Sequence, residues 1–289
     1  MSNTVYQEIT DSIIAEIESG AVPWVKPWSS SGFAGVADKN IITQRPYQGI
    51  NRVILGMTGA IRGYSVPVWG TFKHWSDLGA SVRKGEKGTK IVWFSPVKKE
   101  TVNVSGDSET VQFAVLKTYW VFNASQVDGV SFAKPETVEK PFNSVDAIEQ
   151  RVSKLGVKLQ HGGDRAFFSP SHDLVQMPER TAFDNEASYY ATLLHELTHW
   201  TSEKSRCDRD LSKGRFGNPE YAFEELVAEL GAAFLCGDYQ IQGELRHAGY
   251  IANWLTCLKN DNKAIFKASA LAQKAADYIN THNSLAIAA

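Results

Sequence analysis

Tyr190-Ala191-Thr192-Leu193-Leu194-His195-Glu196-Leu197-Thr198-His199 is the stretch on which the reading turns. Its apolar run predicts a buried helix over 186–201. A helix stacks residues i and i+4 on one face, about 5–6 Å apart. His195 and His199 can therefore offer two imidazoles to one ion. Glu196 sits beside them, rotated toward the neighbouring face. In an H-E-x-x-H arrangement that glutamate is the general base acting on water at the metal. The ion lowers the pKa of that water to about 7 and polarises the scissile carbonyl. The bare five-residue pattern also arises by chance, so its surroundings decide.

A third ligand is available downstream, in Tyr221-Ala222-Phe223-Glu224-Glu225-Leu226-Val227-Ala228-Glu229-Leu230-Gly231-Ala232-Ala233-Phe234. This predicts a helix over 221–236 with acids at 225 and 229, one turn apart on one face. Leu226, Val227, Ala228 and Leu230 leave little width for a merely solvated acidic face. Two histidines and one glutamate would leave a position open for water, as a catalytic site requires. In glutamate-type zincins a carboxylate four residues after the ligand commonly orients a histidine. Glu225 as ligand with Glu229 behind it fits that pattern, and the reverse order stays open. The donor set suits Zn2+, with Mn2+ as the alternative. Tyr221, His172 and His247 are minor candidates for help at the site. The polar stretch 205–217 could rim the cleft or be a plain loop.

The three cysteines, Cys207, Cys236 and Cys257, form no C-x-x-C pair. They argue against a cysteine metal cluster or a disulfide scaffold and suit a reducing compartment. The first twenty residues lack the basic start and apolar run of a signal peptide. No stretch has the roughly 18 apolar residues of a membrane span. A cytoplasmic protein without a membrane partner is expected.

The first half has a different character. The chain as a whole carries a net charge of −2, yet residues 39–99 hold eleven basic residues against Asp77 and Glu86. Such an excess points to an anionic partner. Six of the eight tryptophans lie in the first 130 residues. Cations interleaved with aromatics suit single-stranded nucleic acid, in which phosphates and base faces are both accessible. The candidate contacts are Trp24, Lys26, Trp28, Arg45, Tyr47, Asn51, Arg52, Lys73, Trp75, Arg83, Lys84, Lys87 and Lys90. Of these, 83–90 reads as a glycine-bent basic loop that could clasp a backbone. Trp93 and Trp120 lie in apolar strand patterns and read as core.

Periodicity predicts helices over 4–19, 46–62 and 71–78, then strands over 90–94, 102–104 and 112–122, with a turn at 105–107. The second half predicts a helix over 144–155, short strands near 157–159, 166–169 and 174–178, and then mostly helix. The expected fold is α+β in two domains. Residues 1–128 would form an α+β domain that binds single-stranded nucleic acid, 129–143 a linker, and 144–289 a mostly helical zincin-like domain.

Taken together, Pro23-Trp24…Pro27-Trp28, Tyr47-Gln48-Gly49-Ile50-Asn51, Trp69-Gly70-Thr71-Phe72, Val82-Arg83-Lys84-Gly85-Glu86-Lys87-Gly88 and the two helical strings above resemble the ArdC antirestriction family of conjugative plasmids. They are also similar to the N-terminal region of plasmid TraC-type primases. The resemblance implies binding of single-stranded DNA, a zincin-like metallopeptidase domain, and protection of incoming plasmid DNA from host restriction during conjugation. The resemblance does not imply the peptidase target, which stays open, a protein of the host restriction system being one candidate. Two other readings compete: a non-catalytic DNA binder with a structural metal, and a general cytosolic metallopeptidase whose basic half recruits acidic substrates.

Overall fold

The computed structural model describes residues 2–19, 37–102, 108–132, 143–209, 218–241 and 251–282. Helix α1 (Ser2–Glu18) is followed by strand β1 (Lys39–Asn40), helix α2 (Ile50–Ile61), β2 (Val68–Thr71), the short α3 (Phe72–Asp77) and β3 (Ser81–Val82). The long strands β4 (Thr89–Val102) and β5 (Ser108–Asn123) come next, then β6 (Val127–Asp128). The second half runs α4 (Asn143–Leu155), β7 (Lys158–His161), β8 (Phe167–Ser169), β9 (Leu174–Met177), α5 (Glu186–Trp200), α6 (Pro219–Asp238), α7 (Ile251–Asn260) and α8 (Ala264–Thr281). The α+β class and the helical second half agree with the sequence reading. The expected turn at 105–107 and most of the expected linker fall outside the described residues.

The four-stranded sheet has the order β1-β2-β5-β4, β3 and β6 form a two-stranded sheet, and β7, β9 and β8 form a three-stranded one. Where two strands were expected over 90–94 and 102–104, one strand continues from 89 to 102. Ladder pairing with β5 along its whole length overrides the polar run that suggested a break.

One hydrophobic cluster joins the two halves. Ile9, Ile13 and Ile17 of α1 and Val53, Ile54 and Met57 of α2 pack with Leu193, Leu197, Leu226, Leu230, Trp254 and Ile265. The amphipathic first helix therefore docks on the helical second half. Arg52 of α2 reaches the same way. It donates to the Phe234 carbonyl at 2.6 Å and to Asp238 Oδ1 at 2.7 Å, with its guanidinium 4.7 Å from the Phe234 ring centroid. Asn51, the residue before, uses both ends of its amide on β4: Nδ2 donates to the Val92 carbonyl at 2.8 Å, and Oδ1 accepts from the Val92 N–H at 2.9 Å.

Two features of this core give measurable consequences. Gly231 lets α6 approach α5, because a Cβ there would stand 2.5 Å from Thr198 Cγ2. Gly231→Ala should force the helices apart and destabilise the fold by about 1–3 kcal/mol, readable as a fall in urea midpoint. Asp38, which accepts the indole N–H of Trp69, is pushed up to about 6 by burial, against the pull of that bond and of Arg52. The folded state thus holds the Asp38 proton more tightly than the unfolded chain does. Its contribution is present at acid pH and is lost as pH rises from about 3.8 to about 6. Asp38→Asn keeps the acceptor and should flatten that decline, leaving the variant up to about 3 kcal/mol more stable than the parent at pH 7.

Candidate metal centre

Helix α5 begins at Asn185, whose side chain caps the Ser188 N–H. Below the cap, Tyr189 bonds His161 Nε2 at 2.8 Å and Tyr190 donates to Glu149 at 2.7 Å. The helix that carries the motif is thereby pinned to β7 and α4 before it reaches His195. Helix α6 starts with Asn218 capping Tyr221 and Pro219 in its first turn, and it is buried along nearly its whole length. Its packing on α5 brings Glu225 under the two histidines.

The donor atoms converge. His195 Nε2 and His199 Nε2 lie 3.2 Å apart. Glu225 offers Oε2 at 3.6 Å from His195 Nε2 and Oε1 at 3.5 Å from His199 Nε2. A tetrahedral ion with ligand bonds near 2.1 Å holds neighbouring donors about 3.4 Å apart, so two imidazoles and a carboxylate fit a divalent cation. The three form the group of metal-competent side chains found among the described residues. Side-chain exposures of 13%, 12% and 7% for His195, His199 and Glu225 leave the cluster nearly dry.

The roles left open between two glutamates separate here. Glu225 faces the Nε2 atoms, whereas Glu229 Oε1 lies 3.5 Å from His195 Nδ1, on the far side of that ring. A carboxylate can only accept, so it favours the proton on Nδ1 and leaves Nε2 for a metal.

Glu224, which the sequence reading passed over, serves His199 in the same way, with Oε1 3.2 Å from Nδ1. Glu224 is itself held by Arg209, which donates Nη2 to Oε1 at 2.9 Å and Nε to Oε2 at 3.0 Å. The same guanidinium donates to the Thr198 carbonyl at 2.7 Å and to Thr201 Oγ1 at 2.9 Å. Arg209 thus turns inward from the stretch that read as a rim or loop. One signal was available: an acid buried on an otherwise apolar helix needs a cation, and 206–209 supplies arginines.

The electrostatics follow from this crowding. Burial pushes the His195 and His199 imidazoles down, but the surrounding acids outweigh it and both rise, His199 well above the ordinary histidine value. Burial alone would push Glu225 up; its contacts with His195 and His199 bring it well below the usual carboxylate range. Glu224 is lowered too, burial again being outweighed, by His199 and Arg209. A divalent ion competes with protons for these nitrogens. Glu196 is buried next to His195 at 7% exposure.

The expected nucleic-acid contacts fare unevenly. Arg45, Lys73, Lys84 and Lys87 are exposed. Arg83 is partly exposed but engaged with Glu86, Asp128 and the Ser125 carbonyl. Lys90 pairs with Glu8. Tyr47 is half-buried and accepts from Asn40 Nδ2 at 3.2 Å. Three expected contacts have their polar groups engaged within the fold. Trp75 is 0% exposed and donates to the Phe122 carbonyl, Arg52 is buried against α6, and the amide of Asn51 is spent on Val92. Each was drawn into the interior by a specific polar partner that composition does not reveal. Trp24, Lys26, Trp28 and His247 lie outside the described residues. His172 is exposed and bonds Ser169 and Ser171 through Nδ1. Conversely Trp93 and Trp120, which read as core, are 59% and 55% exposed.

The geometry has counterparts. Residues 146–271 match the zincin-like metallopeptidase family, and residues 3–122 match the N-terminal domain of anti-restriction factor ArdC. The crystal structure of antirestriction protein ArdC from plasmid R388, metal-free, superposes with a TM-score of 0.79 at 38% identity, covering 95% of this chain and 96% of that one. This chain belongs to the ArdC antirestriction family. The Mn(II)-bound structure of R388 ArdC gives a TM-score of 0.77 at 36% identity, with the same coverage. A relative in sequence is the uncharacterised protein y4eC of Sinorhizobium fredii, 39% identical over 97% of this chain and 92% of its own. DNA primase TraC of Escherichia coli is 34% identical over 95% of this chain, which spans only 27% of TraC. Among the described residues no helix is long and apolar enough to cross a membrane.

The Arg209–Glu224 clamp can be tested through metal affinity. Glu224→Gln keeps the shape and removes the charge that favours a proton on His199 Nδ1. Affinity for Zn2+ or Mn2+, measured by competition with a chelating dye, should fall about 10- to 100-fold. An unchanged affinity would mean that His199 is oriented by packing alone.

Proposed function

We propose that this protein is an antirestriction factor that binds single-stranded DNA and carries a divalent-metal peptidase site, protecting incoming plasmid DNA from host restriction during conjugation. The observation that carries the reading is the convergence of His195, His199 and Glu225 on one point, with Glu196 beside them in a zincin-like domain. The relatives support the rest: the R388 protein is an antirestriction ArdC, and its Mn(II)-bound form speaks for a divalent ion in such a fold. Zn2+ suits the donor set equally.

When bound, the ion would polarise a peptide carbonyl and acidify water. The chain's own part is then defined. His195, His199 and Glu225 hold the ion, with Glu224 and Glu229 fixing the two rings. Glu196 takes the proton from the attacking water and returns it to the leaving amine. A dry pocket strengthens each of these interactions. The substrate would be a protein of the host restriction system. In the first half, the exposed cations Arg45, Lys84 and Lys87 supply charge for phosphates, while Lys73, Arg83 and Lys90 are paired with Asp77, Glu86 and Glu8.

Glu196→Gln separates peptidase action from binding. The variant should fold, take up metal and bind oligonucleotide like the parent. It should lose protection of a plasmid transferred into a restricting recipient, counted as transconjugants against a non-restricting one. Full protection by the variant would refute the peptidase role and leave a DNA-binding protein with a structural metal.

A further inference from the structure

Strands β4 and β5 run past the sheet they belong to. β2 pairs β5 only from Val121 to Asn123, while β4 and β5 pair from Thr89 opposite Val121 out to Val102 opposite Ser108. Beyond Val121, among the described residues, the two strands form a ribbon without a third strand. Residues opposite each other share a face. On one face Trp93 stands opposite Lys117, with Tyr119 on the diagonal opposite Ile91. On the other, Trp120 stands opposite Lys90.

A two-stranded ribbon in water should carry polar side chains on both faces. Instead Trp93 is 59%, Trp120 55% and Tyr119 45% exposed. Indoles left in water are an unused hydrophobic surface that calls for a partner. The charge beside them specifies its sign. Lys117 is exposed beside Trp93, whereas Lys90 Nζ, 5.2 Å from the Trp120 ring centroid, is already paired with Glu8. The basic turn 83–88 abuts the root of the ribbon, where a Cβ at Gly88 would stand 3.2 Å from Phe122 Cζ and 3.4 Å from Trp120 Cβ, and Arg62 bonds the Lys87 carbonyl. The neighbouring acids Glu8 and Glu86 are already paired, with Lys90 and Arg83. An anionic ligand with flat apolar faces meets both demands. Bases inside a duplex hide those faces, so the ligand is a single strand.

We propose that single-stranded DNA binds along the β4–β5 ribbon, with Trp93 and Tyr119 stacking bases on one face, Trp120 on the other, and Lys84, Lys87 and Lys117 at the phosphates. The assignment rests on the reading that this protein binds single-stranded DNA, and it moves the contact surface from Trp75, Asn51 and Arg52 to the ribbon. Because the aromatics are exposed, their removal leaves the core intact.

The experiment uses the full chain and a fluorescently labelled oligo(dT), followed by anisotropy at several salt concentrations, with thermal melting as a check on folding. Trp93→Ala and Trp120→Ala should each weaken binding roughly 5- to 150-fold, at an unchanged melting temperature and with little change in the slope of log Kd against log salt. Trp93→Phe, which keeps a stacking face, should recover much of the loss. Lys84→Ala with Lys87→Ala should instead lower the salt slope by about two phosphates' worth. If the parent binds oligo(dT) and the tryptophan variants bind equally well, the ribbon proposal fails while DNA binding stands. If the parent binds no oligo(dT) even at low salt, the DNA-binding reading fails and takes the ribbon with it. Equal loss of binding to a matched duplex would make the ribbon a groove reader and overturn stacking. A parent that is dimeric by light scattering and becomes monomeric in Trp93→Ala would make it a self-association surface.

Discussion

Everything at the metal centre depends on how closely α6 can lie against α5. The histidines project from one helix and their partners from the other, so the reach of a glutamate side chain fixes the permitted gap. Gly231 sets that gap, since any side chain there would strike Thr198. Thr198 lies between the two halves of the motif, and its carbonyl is also where Arg209 anchors. The close approach, the placement of Glu225 and the clamp on Glu224 are thus one arrangement. Three carboxylates and two imidazoles in a nearly dry space would repel if arranged otherwise. Here each acid has a nitrogen to face, and Arg209 adds the positive charge the cluster otherwise lacks.

The same economy joins the two halves. A helix whose apolar side chains fall on one face must bury that face somewhere. α1 finds its partner in the second half, where Ile9 and Ile13 enter the cluster that also holds Leu193 and Leu230. α2 does likewise and adds the buried ion pair of Arg52 with Asp238. Matches to two separate families over 3–122 and 146–271 therefore describe ancestry in the sequence more than independence in space.

What could be read from the sequence was governed by range. The candidate metal centre was legible because H-E-x-x-H is a local pattern whose helical period alone brings two imidazoles together, and because acids on an apolar helix advertise a need. Choosing Glu225 over Glu229 as the residue facing the metal donors required the rotation of α6 about its axis, which packing sets. Glu224 stayed hidden because its meaning comes from Arg209, fifteen residues away in the sequence. In the first half the collective charge was legible but the individual assignments were not. Trp75 and Trp93 have equally aromatic neighbourhoods in sequence, yet one ends at 0% and the other at 59% exposure. The difference is that Trp75 finds the Phe122 carbonyl and a pocket beneath the sheet, whereas β4 outruns the sheet before Trp93 can be covered.

Asn51 and Arg52 are consecutive residues with opposite attachments. The first grips β4 at Val92, one residue from Trp93, and the second grips the last turns of the helix that carries Glu225. A single turn of α2 is therefore a strut between ribbon and metal centre. Any displacement of β4 at Val92 would bear first on this strut, because α2 is packed into the shared core. The molecule is built to feel its two ends as one body.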